Sequence, residues 1–364
     1  MDPLRSTERN LKSIVTSAKK VGPRNAALIA RHTGIPPTTV RYSIRNLLKR
    51  RGIEFHGDIN YALLGLKRYL LTLRFGPSPP RDPEEILERM AGKAFLDWYG
   101  KIIPSADFSA LAAVPFEFQG RFRDFLEGLV ESGLLKSYEL HEMDWFRLRS
   151  LDEADYSFRR RRWHVDWKGL DQREVRVERT SAEATRVFRP DRVDLLILKE
   201  LQLDATIRLS RMARKLKKKY KTIYYHFNEH VVDQGLISRY AVYPRIPPGD
   251  GGTVILHLLH DLANDELVAT ENLFHRVPFT YMGGYGRGEG VYAAYTALPG
   301  AELTNMLEYI SDGIRGFGEK HSLRVLSLDH MKSYTVHPHM MGKDGVWRFE
   351  PQQALREVIA EPAG

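Results

Sequence analysis

The strongest constraint on this chain is that it lies in register with itself. Displaced by 183 residues, Ile14, Val15 and Ala18 fall on Ile197, Leu198 and Leu201, and Thr39, Val40, Tyr42, Ile44 and Leu48 fall on Thr222, Ile223, Tyr225, Phe227 and Val231. Gly52-Ile53 meets Gly235-Leu236, and the register continues into Tyr69–Leu73 against Gly252–Leu256. Identities are few, yet apolar positions meet apolar positions without a gap. A period this long implies a two-domain unit of roughly 150 residues present twice and joined by a linker.

Charge follows the same period. The 364 residues carry 55 Lys and Arg against 46 Asp and Glu, a net +9. Residues 1–56 hold twelve basic against three acidic side chains, and residues 190–245 hold twelve against six. The two repeated windows therefore carry +15 and the remainder −6, a partition expected of two phosphate-binding modules. The absence of cysteine excludes disulfides, thiolate zinc sites, Fe–S clusters and thiol nucleophiles. A hydrophobic share of 43% excludes global disorder. No apolar run approaches the ~18 residues of a membrane span, and the first residues lack the apolar core of a secretory signal. The expectation is a soluble, cytoplasmic protein.

Each basic window reads as three helices and a wing. Leu11, Ile14, Val15 and Ala18 recur at helical spacing, Gly22-Pro23 stops that helix, a short helix runs from Asn25 to His32, and Pro37 opens a third. The third helix buries Val40, Ile44, Leu47 and Leu48 and shows Thr38, Thr39, Arg41, Tyr42 and Arg45. This is the helix-turn-helix pattern, in which the third helix enters the DNA major groove. In the second window Lys215, Lys217, Lys218, Lys219 and Lys221 replace the turn, and Thr222, Tyr224, Tyr225, His226 and Asn228 are the expected recognition face. Phosphate contacts fall to the lysines and base or backbone contacts to the third-helix side chains.

The run Asp194-Leu195-Leu196-Ile197-Leu198, then Asp204–Ser210, then Gly235-Leu236-Ile237-Ser238-Arg239-Tyr240 resembles the N-terminal domain of the Lrp/AsnC transcriptional regulators over about 50 residues. The first window shares the layout more remotely. After each window the pattern reads strand, helix, strand, strand, helix, strand: 69–75, 83–90, 98–103, 110–115, 118–132 and 135–148 in the first half; 253–261, 264–276, 279–285, 291–297, 300–317 and 323–336 in the second. That order is ferredoxin-like, similar to the effector and dimerisation domain of the same family. The string Gly283-Gly284-Tyr285-Gly286 reads as a hairpin turn rather than a dinucleotide fingerprint, because strand residues follow it. The resemblance places Gly283, Gly284 and Gly286 near an effector pocket. Between the halves, Phe158-Arg159-Arg160-Arg161-Arg162-Trp163 could cross a DNA backbone, with Arg160 and Arg161 in contact, or pair with neighbouring acids.

Enzymatic signatures are weaker. His257 and His260 lie in a strand and face opposite sides, His337 and His339 have no acid nearby in sequence, and no P-loop or nucleophile-elbow string is present. No metal and no cofactor are expected. Siroheme decarboxylases share the winged-helix and ferredoxin-like layout and carry a His-Asn-Tyr…Asn-Leu-Trp-Phe-like string on the middle strands. This chain has Tyr281-Met282-Gly283-Gly284-Tyr285-Gly286-Arg287 there.

The sequence therefore predicts an α+β protein with two winged helix-turn-helix domains (1–64 and 189–247) and two ferredoxin-like domains (65–149 and 248–340). A charged linker (150–188) joins the halves and a tail (341–364) ends the chain. It would be a non-enzymatic regulator of transcription that binds double-stranded DNA, answers to a small-molecule effector, and forms a homo-oligomer or an internal pseudo-dimer. The alternatives are a siroheme-decarboxylase-like enzyme, or a protein that binds chromatin, RNA or the transcription machinery.

Overall fold

A computed structural model describes residues 3–76, 79–173, 187–245 and 252–360. Part of the expected linker, 174–186, and the end of the expected tail, 361–364, lie outside the described residues. The first half contains α1 (Pro3–Val21), α2 (Ala26–Thr33), α3 (Pro37–Tyr42, continued by a π-helical segment Ser43–Leu48) and β1 (Ile53–Ile59). There follow β2 (Leu66–Arg74), α4 (Pro83–Lys93), β3 (Leu96–Ile103), β4 (Phe108–Pro115), α5 (Gln119–Glu131), β5 (Ser137–Met143) and β6 (Trp145–Leu148). A small hairpin, β7 (Tyr156–Ser157) and β8 (Arg162–Trp163), precedes the second half. That half repeats the order as α6 (Arg192–Leu203), α7 (Leu209–Lys215), α8 (Tyr220–Tyr225, continued by His226–Val232), β9 (Ile237–Pro244), β10 (Gly252–Leu259), α9 (Asn264–Arg276), β11 (Thr280–Gly286), β12 (Val291–Pro299), α10 (Leu303–Gly313) and β13 (His321–Ser333). α11 (Pro351–Ile359) follows. The chain is α+β, as expected, and α3 and α8 start 183 residues apart.

Local chemistry sets the helix ends. The Asn25 side chain accepts the Leu28 N–H at the start of α2, while Asp191 and Asp194 form a reciprocal capping box on α6. Gly34 takes a left-handed conformation to end α2.

The wings are shared rather than separate. β1 and β9 pair antiparallel, with Phe55 opposite Val242 and Gly57 opposite Tyr240. β1 also packs on α6 and β9 on α1, so each head lies against the other half's strand. Phe55 and Val242 accordingly sit in one core with Leu11, Ile14 and Val15 of the first head.

The nine strands of the main sheet run β5-β2-β4-β3-β13-β10-β12-β11-β6, all antiparallel. The two four-stranded units join where β3 meets β13. β5 and β6 are separated by Asp144 alone yet occupy opposite ends of the order, so the sheet closes on itself as a barrel. Leu70, Trp98, Leu111, Phe146, Leu256, Met282, Ala293 and Tyr295 fill a common apolar core within it. α4, α5 and α11 share a core with the outer face of the first unit, and α9 and α10 with that of the second.

The closing strand explains two of three neighbouring glycines. Gly283, Gly284 and Gly286 are buried, and a Cβ on Gly284 would lie 1.8 Å from the Trp145 carbonyl oxygen. A Cβ on Gly286 would lie 2.1 Å from the Glu142 carbonyl oxygen. Of these residues, expected to touch an effector, Gly284 and Gly286 give the backbone of residues 142–146 its room, while Gly283 lies against Ala293 and Ala294 of β12. Gly284→Ala should cost about 1–3 kcal/mol through displaced backbone. Urea unfolding checks this; an unchanged midpoint would remove the glycine from barrel closure.

Candidate functional site

A cleft of about 1020 Å³ lies where the β7–β8 hairpin, the ends of the wings and the face of β10–β12 meet. That volume is at the upper end of small-molecule sites. The hairpin is built by its apolar members. Tyr156 and Phe158 are buried in the first head's core, and the Glu8 carboxylate accepts the N–H groups of Phe158 and Arg159 at 2.9 and 2.8 Å. Arg161 turns the chain at φ 54°. With the aromatics anchored, Arg160, Arg161 and Arg162 project to the cleft rim and are exposed.

Arg51, at the end of the π-helical turn after α3, and Arg245, just past β9, complete the basic rim. Two carboxylates border the cleft and both are engaged. Glu54 accepts from Arg245 Nε at 3.0 Å, and His56 first, then Arg245, hold it below the usual carboxylate range despite burial. Glu302 accepts the Trp167 indole N–H at 2.9 Å. Among the described residues no ion pair reaches Arg160, Arg161 or Arg162.

The walls are aromatic. Trp163 packs edge-on to Phe279 and to Tyr156, with centroids 4.9 and 5.2 Å apart. Tyr243 and Tyr281 line the far side. The Tyr281 hydroxyl is buried without a hydrogen-bond partner, and burial followed by the neighbouring Tyr295 and Tyr243 pushes its pKa well above the ordinary tyrosine value. It therefore stays protonated. Across Thr280 a second basic recess of about 500 Å³ includes Lys19, Arg173 and Arg239, which pair with Glu153, Asp155 and Asp58, and also Lys20, Arg149 and Arg276, which have no ion pair among the described residues. The first cleft has the larger uncommitted positive charge.

The expected DNA faces divide. Thr38, Thr39, Arg41, Tyr42, Lys217, Lys218, Lys219, Lys221, Tyr224 and Tyr225 are exposed or partly exposed. Arg45 and Thr222 are half-buried; burial, then Arg208 and Arg41, lowers the Arg45 pKa. Lys215 is bonded to the buried Glu200 at 2.7 Å. Asn228 donates to the Tyr224 carbonyl at 2.8 Å, and His226, expected on the recognition face, turns inward to Asp194. His226 follows the buried Ile223 by three residues, so helical spacing itself places it on the inner face. Arg160 and Arg161, expected on a DNA backbone, line the cleft. Arg51, Arg162, Arg245, Tyr243 and Phe279 were missed as site residues; only Arg162, within the arginine run, carried a sequence signal.

No family model matches the chain, and no curated protein matches it in sequence. Two solved structures share its architecture. The crystal structure of the siroheme decarboxylase NirDL superposes with a TM-score of 0.55 at 12% identity, covering 96% of this chain and 98% of that one. The same enzyme in co-complex with an iron-uroporphyrin III analogue gives 0.50 at 12% identity, over 90% and 94%. The likeness establishes an Lrp/AsnC-like fold. It also corrects the expectation of a non-enzymatic protein, because the architecture matched across nearly the whole chain is that of an enzyme. Among the described residues, no helix is long and apolar enough to cross a membrane.

Proposed function

We propose that this chain is a decarboxylase acting on a carboxylate-bearing tetrapyrrole of the siroheme class. The observation that carries the reading is the cleft itself: aromatic walls under a rim of five arginines, in a chain with the NirDL architecture. A flat macrocycle with carboxylate side chains matches both features. The aromatic rings would pack on its faces, and the guanidinium groups would take its carboxylates in bidentate pairs.

The chemistry follows from what the cleft withholds. A carboxylate placed against Tyr243, Tyr281 and Phe279 instead of an arginine loses its hydration, which favours departure as CO₂. The bond between the side-chain methylene carbon and the carboxyl carbon breaks. Its electron pair stays on the methylene carbon, and a proton completes a methyl group. Tyr281 stands in the segment where the resembling decarboxylases carry their His-containing string. Its buried, protonated hydroxyl is our candidate donor.

The test is anaerobic incubation of the purified chain with siroheme, followed by mass spectrometry of the pigment. Loss of CO₂ per carboxylate supports the reading; an unchanged pigment with no saturable change in its visible spectrum overturns it. Tyr281→Phe should slow decarboxylation by about 100-fold while leaving the binding spectrum intact. An equal rate would remove Tyr281 from the chemistry.

A second reading, compatible with the first, keeps nucleic-acid contact at the heads. Tyr42, Tyr224 and Tyr225 are each more than half exposed beside Arg41 and Lys217–Lys221. Neutralising Lys217, Lys218 and Lys219 should flatten the salt dependence of duplex binding by about one unit for each phosphate that a lysine had neutralised. A gel shift without any retarded duplex would end this reading.

A further inference from the structure

Asp194, His226 and His230 bring one carboxylate and two imidazoles together inside the second head. Asp194 is fully buried. Its Oδ2 accepts the Asp191 N–H at 2.9 Å, which fixes the carboxylate and turns Oδ1 toward the histidines. Nδ1 of His226 lies 2.8 Å and Nδ1 of His230 lies 2.9 Å from that single oxygen. All three donor atoms fall within 4.8 Å of one another. Around an ion with metal–ligand bonds of about 2.1 Å, neighbouring donors stand roughly 3.0–3.4 Å apart. The two oxygen–nitrogen spacings are a few tenths of an ångström short of this, and His230 Nδ1 also lies 3.1 Å from Oδ2, so modest side-chain rotations would be needed to admit an ion between the three groups.

The first head serves as an internal control. At an offset of 183, Asp194, His226 and His230 correspond to Leu11, Ser43 and Leu47. In the first head Leu11 and Ser43 are buried and Leu47 packs against the same apolar cluster. A head of this shape therefore closes with leucine and serine, and folding does not demand a carboxylate with two histidines at the joint. The ring of Phe188 flanks His230 with centroids 5.5 Å apart, and Tyr225 lies at 5.3 Å. The His230 side chain keeps about a quarter of its surface exposed, which leaves a path for an ion and for water as a further ligand.

We propose that Asp194, His226 and His230 form a binding site for a divalent first-row transition metal, the ion clamping the start of α6 to the continuation of α8. Two imidazoles and one carboxylate suit Zn²⁺ or Fe²⁺ with open coordination positions. The site is independent of the cleft and of the decarboxylase reading.

The full chain, freed of an affinity tag and stripped with chelator, should be titrated calorimetrically with Zn²⁺, with Co²⁺ as a spectroscopic reporter. One equivalent should bind, Co²⁺ should develop visible ligand-field bands, and Zn²⁺ should raise the melting temperature. The double variant His226→Ser, His230→Leu installs the first head's residues at the two histidine positions, and the triple variant that adds Asp194→Leu completes the set without leaving a buried carboxylate unpaired. Both should bind at least ~100-fold more weakly and lose the thermal shift. His257→Gln, which alters a different histidine pair, should bind like the parent chain. Absence of saturable one-equivalent binding, or equal binding by the double variant, would overturn the proposal.

Discussion

Replacing Arg160, Arg161 and Arg162 together by glutamine is expected to weaken binding of a carboxylated iron tetrapyrrole by at least ~100-fold. The three side chains project from a hairpin whose fixed points are Tyr156, Phe158 and Trp163. They are exposed, so folding should be nearly unaffected. Glutamine keeps hydrogen-bonding capacity and much of the length but removes the charge. A hydrogen bond to a charged partner contributes about 1.5–3 kcal/mol. Even with strong non-additivity, losing three should exceed the ~2.7 kcal/mol of a 100-fold change. Absorbance titration of the pigment measures the effect, and the parent chain's affinity should fall with added salt while the variant's changes less. Glutamine at Lys217, Lys218 and Lys219 provides the contrast, since those side chains sit between α7 and α8, away from the cleft. If both triple variants weaken binding equally, the effect is general electrostatics and the cleft assignment fails.

This arrangement was partly legible from sequence. The 183-residue register carries the element order because helices and strands follow local apolar spacing, and that spacing survives where identities do not. The helix at 264–276 and the βαββαβ order are cases in point. The exchange of wings was not legible. β1 pairs with β9 across about half the length of the chain, and nothing in Ile53–Ile59 distinguishes that partner from a nearby hairpin strand. Closure of the barrel was hidden for the same reason: 137–148 reads as one strand, but Asp144 divides it between the two ends of the sheet.

The site shows where residue type alone misleads. An arginine run beside aromatics fits a DNA backbone as well as a cleft rim, and only the packing of Tyr156 and Phe158 decides its direction. Tyr281 carries no signal in sequence; it becomes chemically distinct through burial beside Tyr243 and Tyr295. Gly283, Gly284 and Gly286 fit the glycine pattern of a ligand loop, but the missing side chains of Gly284 and Gly286 admit residues 142–146, and that of Gly283 admits Ala293 and Ala294. His226 is expected on the exposed face, but it follows the buried Ile223 by three residues and turns inward to Asp194.

The second large effect concerns acid. Burial holds His275 and His337 down to about 3 and His321 to about 4, and lowers His257 well below its ordinary value. The His257 and His321 rings stack with their Nδ1 and Nε2 atoms 3.2 Å apart, so both cannot be charged together. Each of these histidines binds its proton more readily in the unfolded chain than in the fold. Their stabilisation is therefore complete above the unfolded value near ~6.5 and declines as pH falls toward 3–4. A fully buried histidine contributes about 1.4 kcal/mol per pH unit in that window. Allowing for the partial exposure of His275 and His321, His275, His321 and His337 should together remove roughly 4 kcal/mol between about pH 6.5 and 4.5, and His257 acts in the same direction. That is a large part of the ~5–15 kcal/mol that holds a typical domain together. Carboxylates with ordinary values near ~4 enter mainly at the lower edge of this range, so the upper part of the decline reports the histidines. Urea midpoints at pH 7.5, 6.5, 5.5 and 4.5 should be flat across the first interval and then fall steeply. His321→Gln, which leaves His257 a neutral neighbour, should reduce the slope. A midpoint constant down to pH 4.5 would mean that these imidazoles are solvated in solution, and that the apolar packing around His257 and His337 is looser than the geometry requires.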